Sequence, residues 1–215
     1  MRGRRSLIWL VLAAPLFPAA ASGQGGASAP PPTNALERVA EARAAKKISQ
    51  RFDPAFKKYS KRYFGPAFDW RYFKAQGFAE SELKPNATSW VGARGVMQLM
   101  PSTYQQIASH RPEFGPIDQP DWNIAAGILH DRDLWQLWVN VPEPERYHFM
   151  FASYNAGEGT IGRALAVAKQ TSPEPAWSNI ELIAPRVQRW RYSETLGYVR
   201  RIDSTYFKLT NPFAP

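Results

Sequence analysis

Apolar side chains recur at intervals of three and four residues along most of the chain, which is the period of amphipathic helices. The first clear example is formed by Phe52, Phe56, Tyr59 and Tyr63, with lysines and arginines at several positions between them. Alternation of apolar and polar positions, the period of a half-buried strand, is nearly absent. The pattern therefore predicts a compact all-α domain.

The same spacing predicts several later helices. One is predicted over residues 69–83, before Pro85, and its inward face consists of Trp70, Phe73, Gly77 and Glu80. A glycine-rich loop follows at 92–95, and Pro101 suits the first turn of another helix. The remaining apolar faces are Ile124, Ile128, Trp135 and Trp138; Tyr147, Met150, Phe151 and Tyr154; Ile161, Ala164, Leu165 and Ala168; and Thr195, Tyr198, Val199, Ile202 and Tyr206.

The N-terminal residues have the composition of an export signal. Arginines precede an apolar run at residues 7–17, and small residues at 19–21 offer a cleavage site. Because a spanning helix needs about 20 apolar residues, we predict a cleaved signal peptide at 1–21 and a periplasmic protein, with an uncleaved anchor as the alternative. A flexible linker rich in Pro, Gly and Ala is predicted at 22–45, and a folded domain at 46–215.

The chain contains no cysteine, which excludes disulfides and the lipid-modified cysteine of bacterial lipoproteins. The histidines at 110, 130 and 148 lack the i, i+4 spacing of a helical zinc site. We therefore predict no metal and no cofactor. The formal net charge of +9 suits an anionic wall polymer, an anionic membrane surface or nucleic acid. Export argues against nucleic acid.

Much of the positive charge lies in a basic stretch at residues 46–62, in which Asp53 is the lone acid. One interpretation is an amphipathic helix that packs its aromatic side on the domain and leaves its lysines in solvent. The other is a peripheral contact with an anionic wall or membrane surface. The commonness of amphipathic helices favours the first interpretation, and the second stays open.

Glu80 differs from the other residues on its predicted helix face, because it is a carboxylic acid where Phe73 and Gly77 point. Partial loss of water raises the pKa of such a group, and a Glu that stays protonated at neutral pH can act as a general acid. The alternative is a buried structural ion pair, with Arg94 as a candidate partner.

The segment around Glu80 resembles the signature of the soluble lytic murein transglycosylase family. The matching steps are Glu80-Ser81, Pro-x-Ala-x-Ser at 85–89, Gly-Ala-x-Gly at 92–95 and Met-Gln-Leu-Met-Pro at 97–101. Three further blocks follow in the family's order, and they are Asn123-Ile124 with Gly127, residues 152–157 with Gly159, and Glu194-Thr195 with Tyr198, Val199 and Ile202. Such an ordered match over residues 66–207 is highly specific.

Within that family, residues 48–70 look like the lead-in to the catalytic domain of membrane-bound transglycosylase F. The resemblance implies a lysozyme-like fold of the goose type, with 46–215 as the catalytic domain. It implies a lyase that cleaves the MurNAc–GlcNAc β-1,4 bond of peptidoglycan strands. Carried over residue by residue, it makes Glu80 the catalytic acid and base, and the substrate-binding residues Ser81, Met97, Gln98, Tyr154, Asn155 and Glu194, with Met97 as a wall of the glycan groove.

The implied reaction needs only one carboxyl group. Glu80 protonates the leaving oxygen and then, as a carboxylate, removes a proton from the muramyl O6 as this oxygen attacks C1. The product is a 1,6-anhydro sugar. Two alternatives stay open, a hydrolytic muramidase on the same fold and a non-catalytic wall-binding scaffold. In either case we expect a monomer.

Some site assignments have structural alternatives. Tyr154 and Asn155 could end a buried helix, and Ser81 could bond the local backbone. Glu194 follows Ser193 at a predicted helix start, where an acid is favoured by the helix dipole. Asp131 departs from the family pattern because it falls on the apolar face of its helix. Either that helix is rotated or Asp131 is paired, and no role is assigned to it.

Overall fold

The computed structural model describes residues 50–211. This part of the chain contains α-helices and a short 3₁₀ turn, Ala184–Arg186, and its only β pairing is a pair of isolated bridges. The predicted all-α class is confirmed. The helices are α1 Asp53–Phe64, α2 Arg71–Ser81, α3 Pro101–Ser109, α4 Pro120–Leu137, α5 Glu145–Ala156, α6 Glu158–Ala168, α7 Trp177–Ile183 and α8 Tyr192–Thr210.

The predicted signal peptide at 1–21, the linker at 22–45 and the first residues of the basic stretch lie outside the described residues. Between residues 50 and 211, no helix combines the length and apolarity that a membrane crossing requires. Several helices begin with a proline in the first turn, as at Pro101 and Pro120. Proline suits this position because the first-turn N–H groups have no partner inside the helix.

Helix α1 has the predicted amphipathic form. Phe52, just before its start, is buried together with Phe56 and Tyr59, whereas Lys57 and Lys58 are exposed. An ion pair of 2.6 Å joins Asp53 of α1 to the buried Lys74 of α2. The aromatic face and this ion pair hold α1 against the rest of the domain.

Helix α5 forms the centre of the core. Phe149, Met150 and Phe151 are all fully buried, because α4, α6 and α8 pack around this helix. Helices α2 and α8 run along each other as the most extensive pairing in the described domain. The last turn of α2 and the first turns of α8 therefore lie close together, and this is where Glu80 is found.

The structure differs from the sequence prediction at helix ends. Helix α2 is shorter than the predicted 69–83, because Glu82 and Leu83 adopt positive φ angles of 55° and 61° that end the helix. Trp138 lies just beyond the end of α4 but is still buried, and its indole N–H donates to Ser153. The short helix α7 was not predicted, since seven residues display too little periodicity.

Candidate active site

Glu80 lies in the last turn of α2 and faces α8. Its Oε1 accepts a hydrogen bond of 2.6 Å from the hydroxyl of Tyr198. The side chain is half-buried, so one part of it is surrounded by protein while another part reaches the surface. Gly77, one turn earlier, allows the Phe56 ring to approach α2 closely, because a Cβ there would lie 3.0 Å from this ring.

Burial raises the pKa of Glu80 to about 8, and the Tyr198 hydrogen bond and the charge of Arg201 offset only part of this effect. Arg201 donates its Nη1 to the carbonyl of Ala79 at 3.0 Å. Arg94, the partner considered for a structural ion pair, instead bonds Asp118 at 3.1 Å. Glu80 is therefore a neutral carboxylic acid at pH 7, which is the state that a general acid requires.

The loop at 92–95 and Asn123 form one structural unit. Asn123 accepts a hydrogen bond from the N–H of Met97 at 2.8 Å and donates to the carbonyl of Arg94 at 2.9 Å. Gly95 has a φ of 78°, and a Cβ there would lie 2.5 Å from the Asn123 amide. This close contact therefore explains why a glycine is needed at position 95 and an asparagine at position 123, in two separate sequence blocks.

Ser81 and Gln98 both bond the backbone of this loop. The Ser81 hydroxyl donates to the distant carbonyl of Val96 at 2.8 Å, and its contact with the local carbonyl of Gly77 is longer, at 3.4 Å. Gln98 has a φ of 45°, and its Nε2 donates to the carbonyls of Gly95 and Ala87 at 2.9 and 3.2 Å. Both residues hold the loop, and their contact with substrate stays a prediction.

Met97 is not a surface wall of the groove, contrary to the prediction. Its side chain is 0% exposed, because it fills the space above Gly77 and Gly127. A Cβ at Gly127 would lie 2.8 Å from the Met97 side chain. Met97 acts instead through its backbone carbonyl, which accepts a hydrogen bond of 2.8 Å from the Tyr154 hydroxyl.

Tyr154 and Asn155 are buried near the end of α5. Burial raises the pKa of Tyr154, and the charge of Glu80 raises it further. Asn155 does not cap the helix, since α5 continues to Ala156 and is followed by Gly157. Glu194 lies in the first turn of α8, where the helix dipole favours an acid, and its carboxylate is 3.9 Å from Arg191. Its contact with substrate stays a prediction.

Sequence reasoning missed the group that touches Glu80. The spacing predicts a buried helix face for Tyr198 but does not indicate which group its hydroxyl contacts. A buried tyrosine needs a hydrogen-bond partner, so this hydroxyl was a usable signal. Gln76 and Asp131 were also missed as a pair. They are completely buried, and Gln76 Nε2 donates to Asp131 Oδ1 at 3.2 Å. Asp131 is therefore paired, and α4 is not rotated.

Within residues 50–211, no group of three or more His, Cys, Asp or Glu side chains is arranged to hold a metal ion. The candidate site consists of Glu80, the donor Tyr198, and the loop that Asn123 and Tyr154 hold in place.

This helical domain, with one protonated acid between α2 and α8, has the lysozyme-like fold of the soluble lytic transglycosylases. It superimposes on an inactive variant of lytic transglycosylase Slt from Pseudomonas aeruginosa with a TM-score of 0.61 and 21% identity, over 84% of this chain and 28% of that one. For the 70 kDa soluble lytic transglycosylase of Escherichia coli, the TM-score is 0.58 at 23% identity, over 81% and 28% of the two chains.

Residues 54–176 match the family model of the transglycosylase SLT domain, and the chain belongs to this family. It is 32% identical over 168 residues to a protein named membrane-bound lytic murein transglycosylase F in Ectopseudomonas mendocina, a match that covers 76% of this chain and 33% of the relative. The chain thus spans about a third of the length of the curated relatives it matches. The predicted family is confirmed.

Proposed function

We propose that this protein is a lytic murein transglycosylase that cleaves the glycan strands of peptidoglycan. The observation that carries the proposal is the state of Glu80, a neutral acid that accepts a hydrogen bond from Tyr198 and receives none from a guanidinium of residues 50–211. Membership of the family supports the substrate class, as do relatives that are named murein transglycosylases.

We propose a mechanism in which Glu80 is the single acid and base. Its proton passes to the oxygen that links MurNAc to GlcNAc, so that the bond from C1 to this oxygen breaks. The resulting carboxylate then takes the proton of the muramyl O6 while O6 bonds to C1. The product is a 1,6-anhydro-muramyl end. Intramolecular attack has an effective molarity of about 10⁵ M or more, which favours O6 over water.

The position of Asp131 supports chemistry by one acid. Most glycosidases use two carboxyl groups on opposite sides of the bond. Asp131 is a carboxyl group close enough to Glu80 for a charge on Glu80 to raise its pKa, and it is 0% exposed, so it has no access to a sugar in the cleft. This supports the anhydro product over hydrolysis.

The mass of the products tests this proposal. Purified sacculi digested by the protein are expected to release muropeptides that are lighter by one water than those of a hydrolase. Products with a reducing-end muramic acid, formed by the same Glu80-dependent activity, would contradict the lyase and support the muramidase alternative. No release at all would support the scaffold alternative.

Three further parts of the proposal concern the whole protein. We propose a periplasmic location after removal of residues 1–21, and a catalytic domain at 46–215 that acts as a monomer. The exposed cations of α1, namely Lys57, Lys58, Lys61 and Arg62, support a peripheral contact with an anionic wall or membrane surface. Arg62 is also paired with Glu113 at 3.0 Å, which reduces the free charge of this face.

A further inference from the structure

A buried polar pair lies behind Glu80. Gln76 precedes Glu80 by four residues on α2, so both side chains emerge from the same side of the helix. Its Nε2 donates to Oδ1 of Asp131 on α4 at 3.2 Å, and both side chains are 0% exposed. This pair is the polar link between the helix turn that carries Glu80 and the neighbouring helix.

Each side chain of this pair also has an oxygen without a partner. Within residues 50–211, neither Oε1 of Gln76 nor Oδ2 of Asp131 accepts a hydrogen bond. An ionised Asp131 would leave two acceptors unsatisfied in the core and a charge without a cation, which is costly. A single proton on Oδ2 removes the charge and creates a donor for Oε1 of Gln76. Carboxylic acid and amide then form a cyclic pair of two hydrogen bonds.

The surroundings of Asp131 also favour the protonated form. The titratable groups that interact with it are Glu80 on α2, Tyr154 on α5 and Tyr198 on α8, and its neighbour in sequence on α4 is His130. None of them is a cation at neutral pH, since burial lowers the pKa of His130 to about 4. Burial raises the pKa of Asp131 well above its usual range, and the charge of Glu80 raises it further.

We propose that Asp131 is a positioning residue that works as a neutral carboxylic acid. Its cyclic pair with Gln76 attaches α2 to α4 one turn before Glu80 and thereby orients the carboxyl of Glu80, without adding a second charge beside it. The positioning role rests on the proposed function of Glu80, whereas the protonated state of Asp131 does not.

The matched test variant is Asp131→Asn, because an asparagine amide donates to Oε1 of Gln76 and accepts from its Nε2, as the neutral acid does. We expect kcat, KM and the pH profile to match those of the unmodified protein. In Asp131→Leu, which leaves Gln76 without its partner, kcat is expected to fall by roughly tenfold or more with little change in KM. The positioning role is overturned if Asp131→Leu has the same kcat as the unmodified protein. It is also overturned if kcat falls as far in Asp131→Asn as in Asp131→Leu.

The protonated state is tested without activity. A group whose folded pKa is raised stabilises the protein below its unfolded pKa and loses this effect as the pH rises through the folded value. Asp131→Asn is therefore expected to raise Tm at pH 7 by roughly 5 °C, with the gain vanishing near pH 4. Glu80 is a second protonated carboxyl at pH 7, so the infrared measurement is made in the Glu80→Gln background, where adding Asp131→Asn should remove the band of a protonated carboxyl.

Opposite results would contradict the neutral acid. If Asp131 carries a charge at pH 7, adding Asp131→Asn to Glu80→Gln removes no band of a protonated carboxyl. Asp131→Asn alone then lowers the alkaline midpoint of kcat/KM, since a nearby negative charge that had raised the pKa of Glu80 is removed. Should the protein prove inactive on every glycan, the Tm and infrared measurements still decide the state of Asp131. Failure of the proposed function and failure of this inference are thus distinguishable.

Discussion

The two ends of the α2–α8 pair each bring a tyrosine hydroxyl to a carboxyl group. At one end Tyr198 donates to Glu80 at 2.6 Å, and at the other Tyr206 donates to Asp69 at 2.9 Å. Both tyrosines belong to α8, and both acids lie at an end of α2. The two regions therefore share a backbone arrangement and a donor, and they differ in what else surrounds the acid.

Asp69 has a guanidinium in direct contact. Arg71 donates its Nη2 and Nε to this carboxylate at 2.7 and 2.9 Å. Burial raises the pKa of Asp69, but the hydrogen bonds from Arg71 and Tyr206 outweigh it, so the pKa lies below its ordinary value of 3.8. At the other end, the guanidinium of Arg201, whose charge acts on Glu80, bonds a backbone carbonyl, and burial raises the pKa of Glu80 to about 8.

The tyrosine hydroxyl alone therefore does not determine whether the carboxyl group beside it is ionised. A neutral hydroxyl donor stabilises a carboxylate in both places, yet only the acid that also has a bidentate cation ionises at neutral pH. A structural anion thus lies just before α2, and a neutral acid, the proton donor of the proposed mechanism, lies in its last turn. Substitutions at matched positions can separate these two roles.

The largest expected effect comes from replacing the two acids. Glu80→Gln removes the exchangeable proton and keeps the shape of the side chain, so activity on sacculi should fall by roughly 10³-fold. Asp69→Asn is the matched control, since it removes the other carboxylate that accepts a hydrogen bond from a tyrosine of α8. The activity of this variant should stay within about twofold of that of the unmodified protein. Turnover is measured as soluble muropeptide released per unit time.

Circular dichroism of both variants verifies that the helical fold is kept. Equal losses of activity in the two variants would mean that the carboxyl groups act through stability alone. An active Glu80→Gln variant would exclude Glu80 as the acid, and the functional contrast between the two ends of α2 would then disappear.

The second effect concerns the two tyrosines. The acid form of Glu80 is required, so kcat/KM should fall as the pH rises through about 8. Tyr198→Phe removes a hydrogen bond that favours the charged form, and such a bond to a charged group contributes about 1.5–3 kcal/mol. The alkaline midpoint should therefore move upward by about one pH unit. In Tyr206→Phe it should not move.

Profiles of kcat/KM between pH 5 and 10 are compared for both variants. A downward movement in Tyr198→Phe would show that the hydroxyl favours the protonated acid, the reverse of our assignment. A movement in Tyr206→Phe as large as that in Tyr198→Phe would show that the two ends are coupled and cannot be treated as separate sites.

Much of the fold and the partly buried position of Glu80 could be predicted from the sequence. Helical spacing is a local property, so the stripe at Phe52, Phe56 and Tyr59 appears in the structure as a buried face. Glu80 could be recognised because a lone acid on an apolar face has a direct electrostatic consequence. The block at Asn123 was recognised by resemblance, and its contact with Gly95 now supplies the physical reason.

The partners of the site residues could not be predicted, because they come from distant segments. Tyr198 and Glu80 are 118 residues apart, and Gln76 and Asp131 are 55 apart. Spacing within one helix does not report which helices pack together. Met97 illustrates the same limit, since its burial depends on glycines of two other helices rather than on its own neighbours in sequence.

The smallest expected effect is on stability, and it has opposite signs at the two ends. The pKa of Asp69 is lowered on folding, so its stabilisation is present above its ordinary value of 3.8 and is lost as the pH falls through the folded value. Arg71 and Asp69 are 39% and 22% exposed, and solvent screening limits the loss in Asp69→Asn to less than about 1 kcal/mol at pH 7. Glu80 has a raised pKa, so Glu80→Gln should instead increase stability at pH 7 and lose this gain below pH 4.5. Urea unfolding of both variants at pH 3 and pH 7 measures how each substitution changes the free energy of unfolding at the two pH values. Changes of the same sign at pH 7 would contradict the assignment of one anion and one neutral acid.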